Sequence, residues 1–433
     1  MAKKKKTRVK PVMAELTKFE DYPMLKGVIP ESHHHFLTIA NNQTLDTFSD
    51  WWQEQMEANQ KNNLWKRFGG VGTLAGLGYN KAVIGVGSGP SLSKNIDVLK
   101  EVHDRDGVKN PEDRDFLICV ANHHFKPLLA KGIIPDFVFL VDGSKIAYEQ
   151  ICKDIPPEAQ NCILITGYHC DPKTVQDWAK AGRAVKFFLS DNKGMKEAFR
   201  VVTGKNPNPH SVINGGNVLN SIWTITSKFF GSRTFMGVGN DLSYPANKDI
   251  KKRRNGYYQD GDYSVNMPKS EGGKGTGRDE AKQNMHWMAF KIVDSKLYTK
   301  NGKPKMPGIA GHKIVGTSNT LWVYKTWLEE ACIISGANEK ATFRYYNCTE
   351  GGILGVLAKS TDPKEMVKDE NWFMVDEVCN RYHTTTLKYA TDQFKQAKDI
   401  LRWQNGDLLL HAHHVGSSGL NIGGDIVGRA MRQ

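Results

Sequence analysis

The feature that most constrains this chain is a short apolar run that breaks abruptly into small residues, at residues 81–93 (KAVIGVGSGPSLS). The apolar residues 82–86 are typical of a buried parallel strand. Gly85, Gly87 and Gly89 allow a tight turn and the close approach of an anion, and an amphipathic helix follows. The stretch therefore predicts a strand, a phosphate-sized turn and a helix N-terminus, or else a tight turn with nothing bound.

Apolar segments alternate with amphipathic ones from this stretch to about residue 244. The expected strands are 82–86, 116–121, 137–141, 162–166, 185–189 and 234–238, and the expected helices are 92–102, 125–131, 145–152, 172–181 and 218–230. Strands separated by helices in this way predict an α/β fold, with a mostly parallel sheet that is covered by helices on both faces.

Polar residues collect at the positions that directly follow four of these strands. The positions are 87–91 (GSGPS), 122–124 (NHH), 142–144 (DGS) and 239–241 (GND). Ligands of parallel sheets bind beyond the carboxyl ends of the strands, so we expect an active cleft there. A second Gly-rich turn, at 213–220 (INGGNVLN), also leads into a helix. Two such turns suit a ligand with two anionic or polar ends, such as a nucleotide joined to a transferred group.

The segments on either side of this region are less regular. Residues 46–56 predict a helix that packs on the main domain, and the Gly-rich, charged residues 244–278 predict a long mobile loop, a lid. Further along, the expected elements are a helix over 285–294, a turn at 308–318 that leads into a helix over 319–335, and a strand in 344–355 that ends in Asn, Thr and Glu. The residues from 361 onward predict a helical, then Gly/Ser-rich appendage or partner-binding tail.

Composition narrows the classes of function. The chain has 433 residues, 39% of them hydrophobic, and no apolar run approaches the ~20 residues that cross a bilayer, so no membrane span is expected. The charged N-terminus lacks the apolar run of a secretory signal. The net charge of +13 is concentrated in the first ten residues and in residues 248–254, which we interpret as solvated surface. Specific nucleic-acid binding is therefore not expected.

The spacing of the cysteines and histidines indicates the redox state of the thiols and whether a metal site is expected. The seven cysteines include no CxxC pair, which predicts reduced thiols in the cytoplasm. Histidines cluster at 33–35 and at 411–414, but neither cluster has helical spacing with a third ligand nearby. No metal site is expected from these patterns.

Four groups of residues, in this order along the chain, resemble the motility accessory factor family of flagellin glycosyltransferases, which shares its core with the hydroxymethylpterin diphosphokinase-like proteins. The groups are VGSGPSL (86–92), GIIPD (132–136) with Val-Asp at 141–142, NGGNV (214–218) with GVGNDLSY (237–244), and NCTEGG (347–352). The resemblance extends over residues 60–360, and the last group favours the accessory-factor branch. Two departures concern donor and acceptor: Asn217 stands where Ser or Thr is expected, and the loop after Tyr244 is unusually basic.

The resemblance implies a Rossmann-like core, similar to bacterial sialyltransferases, that takes a CMP-activated nonulosonic sugar and transfers it to Ser or Thr of a protein. An inverting transfer needs a base for the acceptor hydroxyl and charge stabilisation for the departing phosphate. We expect Asp142 or Asp241 as the base, and Glu350 to orient the sugar or the acceptor. The expected nucleotide contacts are Gly87, Ser88, Gly89, Pro90, Ser91, Asn122, Asn214, Gly215, Gly216 and Asn217, and the expected substrate contacts are Asn347, Thr349 and Gly351.

Two other functions stay open at this point. One is a diphosphokinase of the hydroxymethylpterin type that uses ATP and Mg²⁺, with Asp142 and Asp241 as metal ligands. The other is a non-catalytic protein that binds nucleic acid or an assembly partner through its basic segments. The expected divisions of the chain are a basic tail with a helical segment (1–60), a nucleotide-binding core (61–245), a Gly-rich loop (246–280), the rest of the catalytic core (281–360) and the appendage (361–433).

Overall fold

The computed structural model describes residues 51–107, 109, 113–143, 145–191, 193–212, 215–243, 285–290, 313–337, 342–358 and 372–398. The basic N-terminal tail, the loop expected at 244–278, both histidine clusters and the Gly/Ser-rich end lie outside the described residues. The chain divides into two compact units, residues 1–387 and 388–433. The described part of the second unit, residues 388–398, is helical.

The core is a nine-stranded sheet in which every strand pairs in parallel with its neighbours. Its strands are β1 (Ala82–Val86), β2 (Phe116–Ala121), β3 (Phe137–Leu140), β4 (Ile163–Gly167), β5 (Val185–Ser190), β6 (Ser211–Val212), β7 (Thr234–Val238), β10 (Arg344–Asn347) and β13 (Tyr382–Thr384). They lie in the order β13-β10-β7-β1-β2-β3-β4-β5-β6. Two antiparallel pairs stand apart from it: β8 (Met285–Phe290) with β9 (Lys313–Ser318), and β11 (Val356–Ala358) with β12 (Trp372–Met374). The predicted α/β fold with a mostly parallel sheet is confirmed.

Helices connect these strands. They are α1 (51–61), α2 (Leu64–Phe68), α3 (Ile96–Asp106), α4 (Phe125–Ala130), α5 (Ile146–Ile151), α6 (Pro172–Lys180), α7 (Lys193–Thr203), α8 (Val218–Ile225), α9 (Asn319–Gly336), α10 (Val375–Val378) and α11 (387–398). A 3₁₀-helix at Pro90–Lys94 precedes α3, and a π-helical turn at Thr226–Phe230 extends α8. None of the helices among these residues has the length and apolarity that a membrane crossing requires.

The order in which the chain adds strands reverses at β1. Strands β2 to β6 are added one after another on one side of β1, whereas β7, β10 and β13 are added on its other side. Right-handed crossovers in opposite directions place helices on opposite faces of the sheet. In open parallel sheets the ligand crevice lies beyond the carboxyl ends of the strands at such a reversal, which here is between β1 and β7.

Strand β1 lies at the centre of the core. All five of its residues are buried, and it pairs over its full length with both β2 and β7. A Cβ atom at Gly85 would overlap with the ring of Phe235 from β7, so a glycine is needed at this point of the strand. This tight packing holds the carboxyl ends of β1 and β7 side by side.

Four expectations about secondary structure were wrong. Residues 285–290 form a strand and not the start of a helix, because they pair over six residues with β9, and an apolar run this short fits either structure. Residues 313–318, which were expected to belong to a turn, form β9 itself. The amphipathic helix α7 was not predicted. Within the segment expected to be a helical appendage, β12 and β13 are strands, and β13 extends the main sheet beside β10. The helical piece begins later, at residue 387.

Candidate active site

The turns that follow β1 and β7 pack directly on each other. The amide of Gly87 donates to the carbonyl of Val238 at 2.9 Å, and the amide of Gly89 donates to the carbonyl of Gly239 at 2.7 Å. A Cβ atom at Gly87 would lie 2.5 Å from the Gly239 oxygen, and Gly239 has a left-handed backbone with φ of 63°. The glycines at these positions are therefore required by the contact between two protein segments.

Asp241 lies against the inner side of the β1 turn. Its carboxylate accepts a 2.7 Å hydrogen bond from the Ser91 hydroxyl and 3.3 Å hydrogen bonds from the Ser91 amide. A side chain at Gly89 would overlap with Asp241 Oδ2. The residue itself is only 6% exposed. A protein carboxylate thus occupies the surface that the sequence assigned to a phosphate.

Burial raises the pKa of the Asp241 carboxyl to about 6. The hydrogen bonds from Ser91 and the positive charge of Lys94 act in the opposite direction and limit the rise. A buried carboxyl group with a pKa in this range exchanges its proton close to neutral pH, as an acid or base catalyst must. Asp241 is therefore the predicted catalytic residue whose surroundings best suit proton transfer.

The loop after β10 is held against Asp241 from the other side. The Ile353 amide donates to the Asp241 carbonyl at 2.9 Å, and a Cβ atom at Gly352 would overlap with the Asp241 backbone. Glu350 has a left-handed backbone with φ of 57°, which is uncommon for a residue with a side chain. Its Oε1 accepts hydrogen bonds from Asn95 Nδ2 at 2.9 Å and from the Leu387 amide at 3.2 Å. Glu350 thus ties the loop to neighbouring segments.

Three side chains border the space that a side chain at Gly351 would occupy. A Cβ atom at Gly351 would lie 3.2 Å from Ser91 Cβ, 3.6 Å from Asp241 Oδ1 and 3.9 Å from Lys94 Nζ. A hydroxyl-bearing side chain, a carboxylate and an ammonium group therefore meet at one point, at the carboxyl ends of β1, β7 and β10. We call this point, bordered by Gly351, Ser91, Asp241 and Lys94, the Gly351 gap.

Asn347 and Thr349, which were expected to touch substrate, lie behind the gap and bond to the protein. Asn347 Nδ2 donates to the Leu354 carbonyl at 3.0 Å, and Asn347 Oδ1 accepts from the Thr349 amide at 3.2 Å. Thr349 Oγ1 accepts from the Asn240 amide at 3.2 Å. Both side chains are buried, so they shape the loop that carries Gly351.

Asp142 and Asn122 are not brought to this gap. Asp142 is exposed at the end of β3, and β3 lies three strand spacings from β7, about 14 Å. Asn122, at the end of β2, donates to the side chain of Gln150. Asp142 and Asp241 are thus too far apart to act on the same pair of atoms.

Helix α1 covers the ends of β3 and β4. Gln55 donates to the Gly143 carbonyl at 2.9 Å, and Asn59 donates to the carbonyls of Tyr168 and Cys170 at 2.7 and 3.0 Å. Burial lowers the pKa of His169 to about 4, so its ring is neutral near pH 7, with Nε2 at 3.0 Å from the Val141 carbonyl. The predicted packing of this helix on the main domain is confirmed.

The second Gly-rich turn packs under α9. Gly215 and Gly216 both have positive φ, and side chains at these positions would overlap with the rings of Trp327 and Tyr324. Asn217 is the N-cap of α8, since its side chain accepts a 2.7 Å hydrogen bond from the Asn220 amide. Asn caps a helix as well as the expected Ser or Thr does. Asn214 lies outside the described residues.

Sequence reasoning missed two residues of the site. Lys94 borders the gap and donates to the carbonyl of Glu350, and the buried Asn95 holds the Glu350 side chain. A basic residue shortly after a Gly-rich turn is a signal that was present in the sequence, at position 94. The contact of both residues with a loop more than 250 positions away had no such signal.

Two comparisons with known proteins found a similarity to this chain. Residues 54–247 match the model of the family described as 6-hydroxymethylpterin diphosphokinase MptE-like. No curated protein sequence matches the chain. Among solved structures, the chain is similar to a MAf glycosyltransferase from Magnetospirillum magneticum AMB-1, with 14% sequence identity and a TM-score of 0.40. The match covers 73% of this chain and 40% of that one. The chain thus spans less than half of that protein. The MptE-like part of the resemblance is confirmed by the family match.

Proposed function

Because residues 54–247 match the MptE-like family, we propose that this chain is a nucleotide-dependent transferase that reacts at the Gly351 gap. The observation that carries the proposal is the buried carboxyl group of Asp241, with its pKa raised to about 6, at the reversal point of a parallel sheet. A carboxylate of this kind accepts the proton of a hydroxyl nucleophile near neutral pH. The position is where parallel sheets bind nucleotides.

The reaction that we propose first is glycosyl transfer from a CMP-linked sugar, a nonulosonic acid in the resembling family, to a hydroxyl group of a protein or another acceptor. Asp241 takes the hydroxyl proton as the acceptor oxygen bonds to the anomeric carbon, and the bond between that carbon and the CMP phosphate breaks. The NCTEGG motif (347–352) supports this reaction, because it resembles the accessory-factor branch and its Gly351 borders the gap.

Diphosphate transfer from ATP is the second candidate, and the description of the matching family favours it. In that reaction Asp241 is a Mg²⁺ ligand, since its Oδ1 lies toward the gap and Mg²⁺ with a nucleotide commonly uses only one or two protein carboxylates. Among the residues that the structure describes, no group of three His, Cys, Asp or Glu side chains is placed to bind an ion. The metal would therefore arrive with the nucleotide.

Product analysis separates the two reactions. The purified chain is incubated with CMP-linked sugars and a hydroxyl acceptor, and separately with ATP, Mg²⁺ and a hydroxymethylpterin, and the release of CMP and AMP is measured. We expect CMP release that persists in excess chelator and disappears in Asp241→Asn. AMP release that requires Mg²⁺ would favour the diphosphokinase. A chain that binds no nucleotide in a thermal-shift screen and releases neither product would contradict the proposal.

A further inference from the structure

We infer that the phosphate-binding group of this site is the ammonium of Lys94, and not the amides of the Gly-rich turn at residues 87–91. Lys94 is not among the nucleotide contacts expected from the sequence, and the family match names no residue. The inference rests on the proposed function, because it names the side chain that holds the phosphate of the nucleotide. It is carried by the hydrogen bonds of the turn and by the position of Lys94.

The amides of the turn already have acceptors within the protein. Gly87 and Gly89 donate to the carbonyls of Val238 and Gly239, and the Ser91 amide donates to the Asp241 carboxylate. Proline at position 90 has no N–H group. Four of the five residues from 87 to 91 thus have no backbone donor left for a ligand. A phosphate cradle of the P-loop kind needs several such donors at once.

The inner side of the turn also carries a negative charge. The Oδ2 atom of the Asp241 carboxylate lies directly against Gly89. A phosphate placed there would meet a buried like charge, which is strongly unfavourable at short distance in a poorly solvated site. Phosphate could bind at this surface only if the Asp241 carboxylate moved away. That movement would break its 2.7 Å hydrogen bond from the Ser91 hydroxyl.

Lys94 offers the opposite charge on the open side of the gap. Its side chain is exposed, and its Nζ would lie 3.9 Å from a Cβ atom at Gly351. A bond to the Glu350 carbonyl fixes the ammonium beside the gap. An ammonium group has three N–H donors, and among the described residues only this one acceptor binds it, so two donors remain for phosphate oxygens.

The two charges therefore divide the site into two parts. The departing phosphate of the nucleotide binds at Lys94, where positive charge stabilises it, and the hydroxyl nucleophile binds at Asp241, which accepts its proton. The ligand class recognised by Lys94 is the phosphate group of a nucleoside mono- or triphosphate, whichever base the nucleotide carries.

The test compares Lys94→Gln with Lys180→Gln. Lys180 is a matched control, because it is an exposed lysine on α6 that pairs with Asp177 far from the gap. The dissociation constants of CMP and of inorganic pyrophosphate are measured by calorimetry, with circular dichroism as a check of folding. Loss of one charge-assisted contact should weaken binding of both probes by about 10- to 100-fold in Lys94→Gln. Lys180→Gln should bind as the wild type does.

Two results would overturn the assignment while the proposed function stands. One is a folded Lys94→Gln protein that binds CMP with wild-type affinity. The other is a Lys94→Gln, Asp241→Asn double variant that binds pyrophosphate as tightly as the wild type or more tightly, because affinity without Lys94 would show that the turn is the phosphate site and that Asp241 blocks it. A wild-type chain that binds neither CMP nor ATP would instead overturn the proposed function itself, and this assignment with it.

Discussion

The hydroxyl of Ser91 donates a 2.7 Å hydrogen bond to the carboxylate of Asp241, a residue 150 positions later in the chain. The bond joins the turn after β1 to the turn after β7 at the point where the strand order reverses. Since both side chains are buried, the bond and the desolvation around it set the pKa of the carboxyl group. The proton affinity of the proposed base therefore depends on the packing of two turns.

Asp241→Asn should lower kcat for transfer by ~10²-fold or more, because asparagine keeps the shape of the side chain but accepts no proton. In the wild type, kcat/KM should fall as the pH drops below about 6, where the carboxyl becomes protonated. Nucleotide affinity, measured by calorimetry, should change little. An Asp241→Asn enzyme with full activity would remove this residue from the mechanism.

Asp142→Asn should leave transfer within about threefold of the wild type, since surface substitutions away from a site have small effects. Asp142 is exposed at the end of β3, three strands from β7. Steady-state kinetics of this variant beside Asp241→Asn distinguish the two carboxylates that the sequence left equivalent. A hundredfold loss in Asp142→Asn would place the base at β3 instead.

The buried carboxyl of Asp241 should also make the folded state less stable as pH rises. Its pKa is about 6 when folded, against an ordinary value of 3.8, so between pH 4 and 6 the folded state binds a proton that the unfolded state releases. The free energy of unfolding contributed by this group is fully present below pH 4 and is lost as the pH rises to 6. The total loss is at most about 3 kcal/mol, and no further change is expected above pH 6. Urea unfolding at several pH values should show this decline in the wild type and a smaller one in Asp241→Asn. Equal slopes in the two proteins would contradict it.

Gly89→Ala should destabilise the protein by about 1 to 3 kcal/mol, because a methyl group there overlaps with Asp241 and lies 2.7 Å from the Gly239 carbonyl. Gly72→Ala is the matched control, since its methyl group would meet no atom closer than 3.8 Å. The melting temperatures of both variants check the prediction. If Gly89→Ala melts as the wild type does, the two turns are less tightly packed than the structure shows.

Glu329→Gln should cost about 3 kcal/mol or more of unfolding free energy. Glu329 and Lys325 form an ion pair inside the protein, each with a 1% exposed side chain, and Glu329 also accepts the Gly355 amide at 2.8 Å. Burial raises the pKa of Glu329 and lowers that of Lys325. Removal of one partner leaves a buried charge without its counter-charge. Denaturant unfolding is measured for Glu329→Gln, for Lys325→Met and for the double variant. The loss of unfolding free energy in the double variant should be smaller than the sum of the losses in the two single variants.

A family motif also proved to have a role that its presence in the sequence did not reveal. In the GIIPD segment (132–136), the Asp136 carboxylate accepts the Ile118 amide at 2.8 Å and pairs with Arg114. Asp136 directly precedes β3, so it lies at the amino end of the strands, opposite the Gly351 gap. This motif residue supports the sheet and does not touch the candidate site.

The parallel sheet was predictable because its strands are continuous apolar runs and its main helices have apolar faces. The bounds of β1, β2 and β7 were predicted to the residue. Predictions were wrong where a segment is short and its pattern fits two structures, as at residues 285–290 and 382–384. In both places a partner strand selected the extended form.

The sequence by itself determined that polar residues follow several parallel strands, and that glycines make the turn after β1. Only the tertiary structure decided which strand ends meet: Asp241 reaches Ser91 because β7 pairs with β1, whereas Asp142 follows a strand two places further along the sheet from β1. It also decided that the turn amides bond to the protein and that burial raises the pKa of Asp241. Strand order, amide partners and desolvation arise from contacts between residues far apart in the chain, and a local pattern carries no record of them.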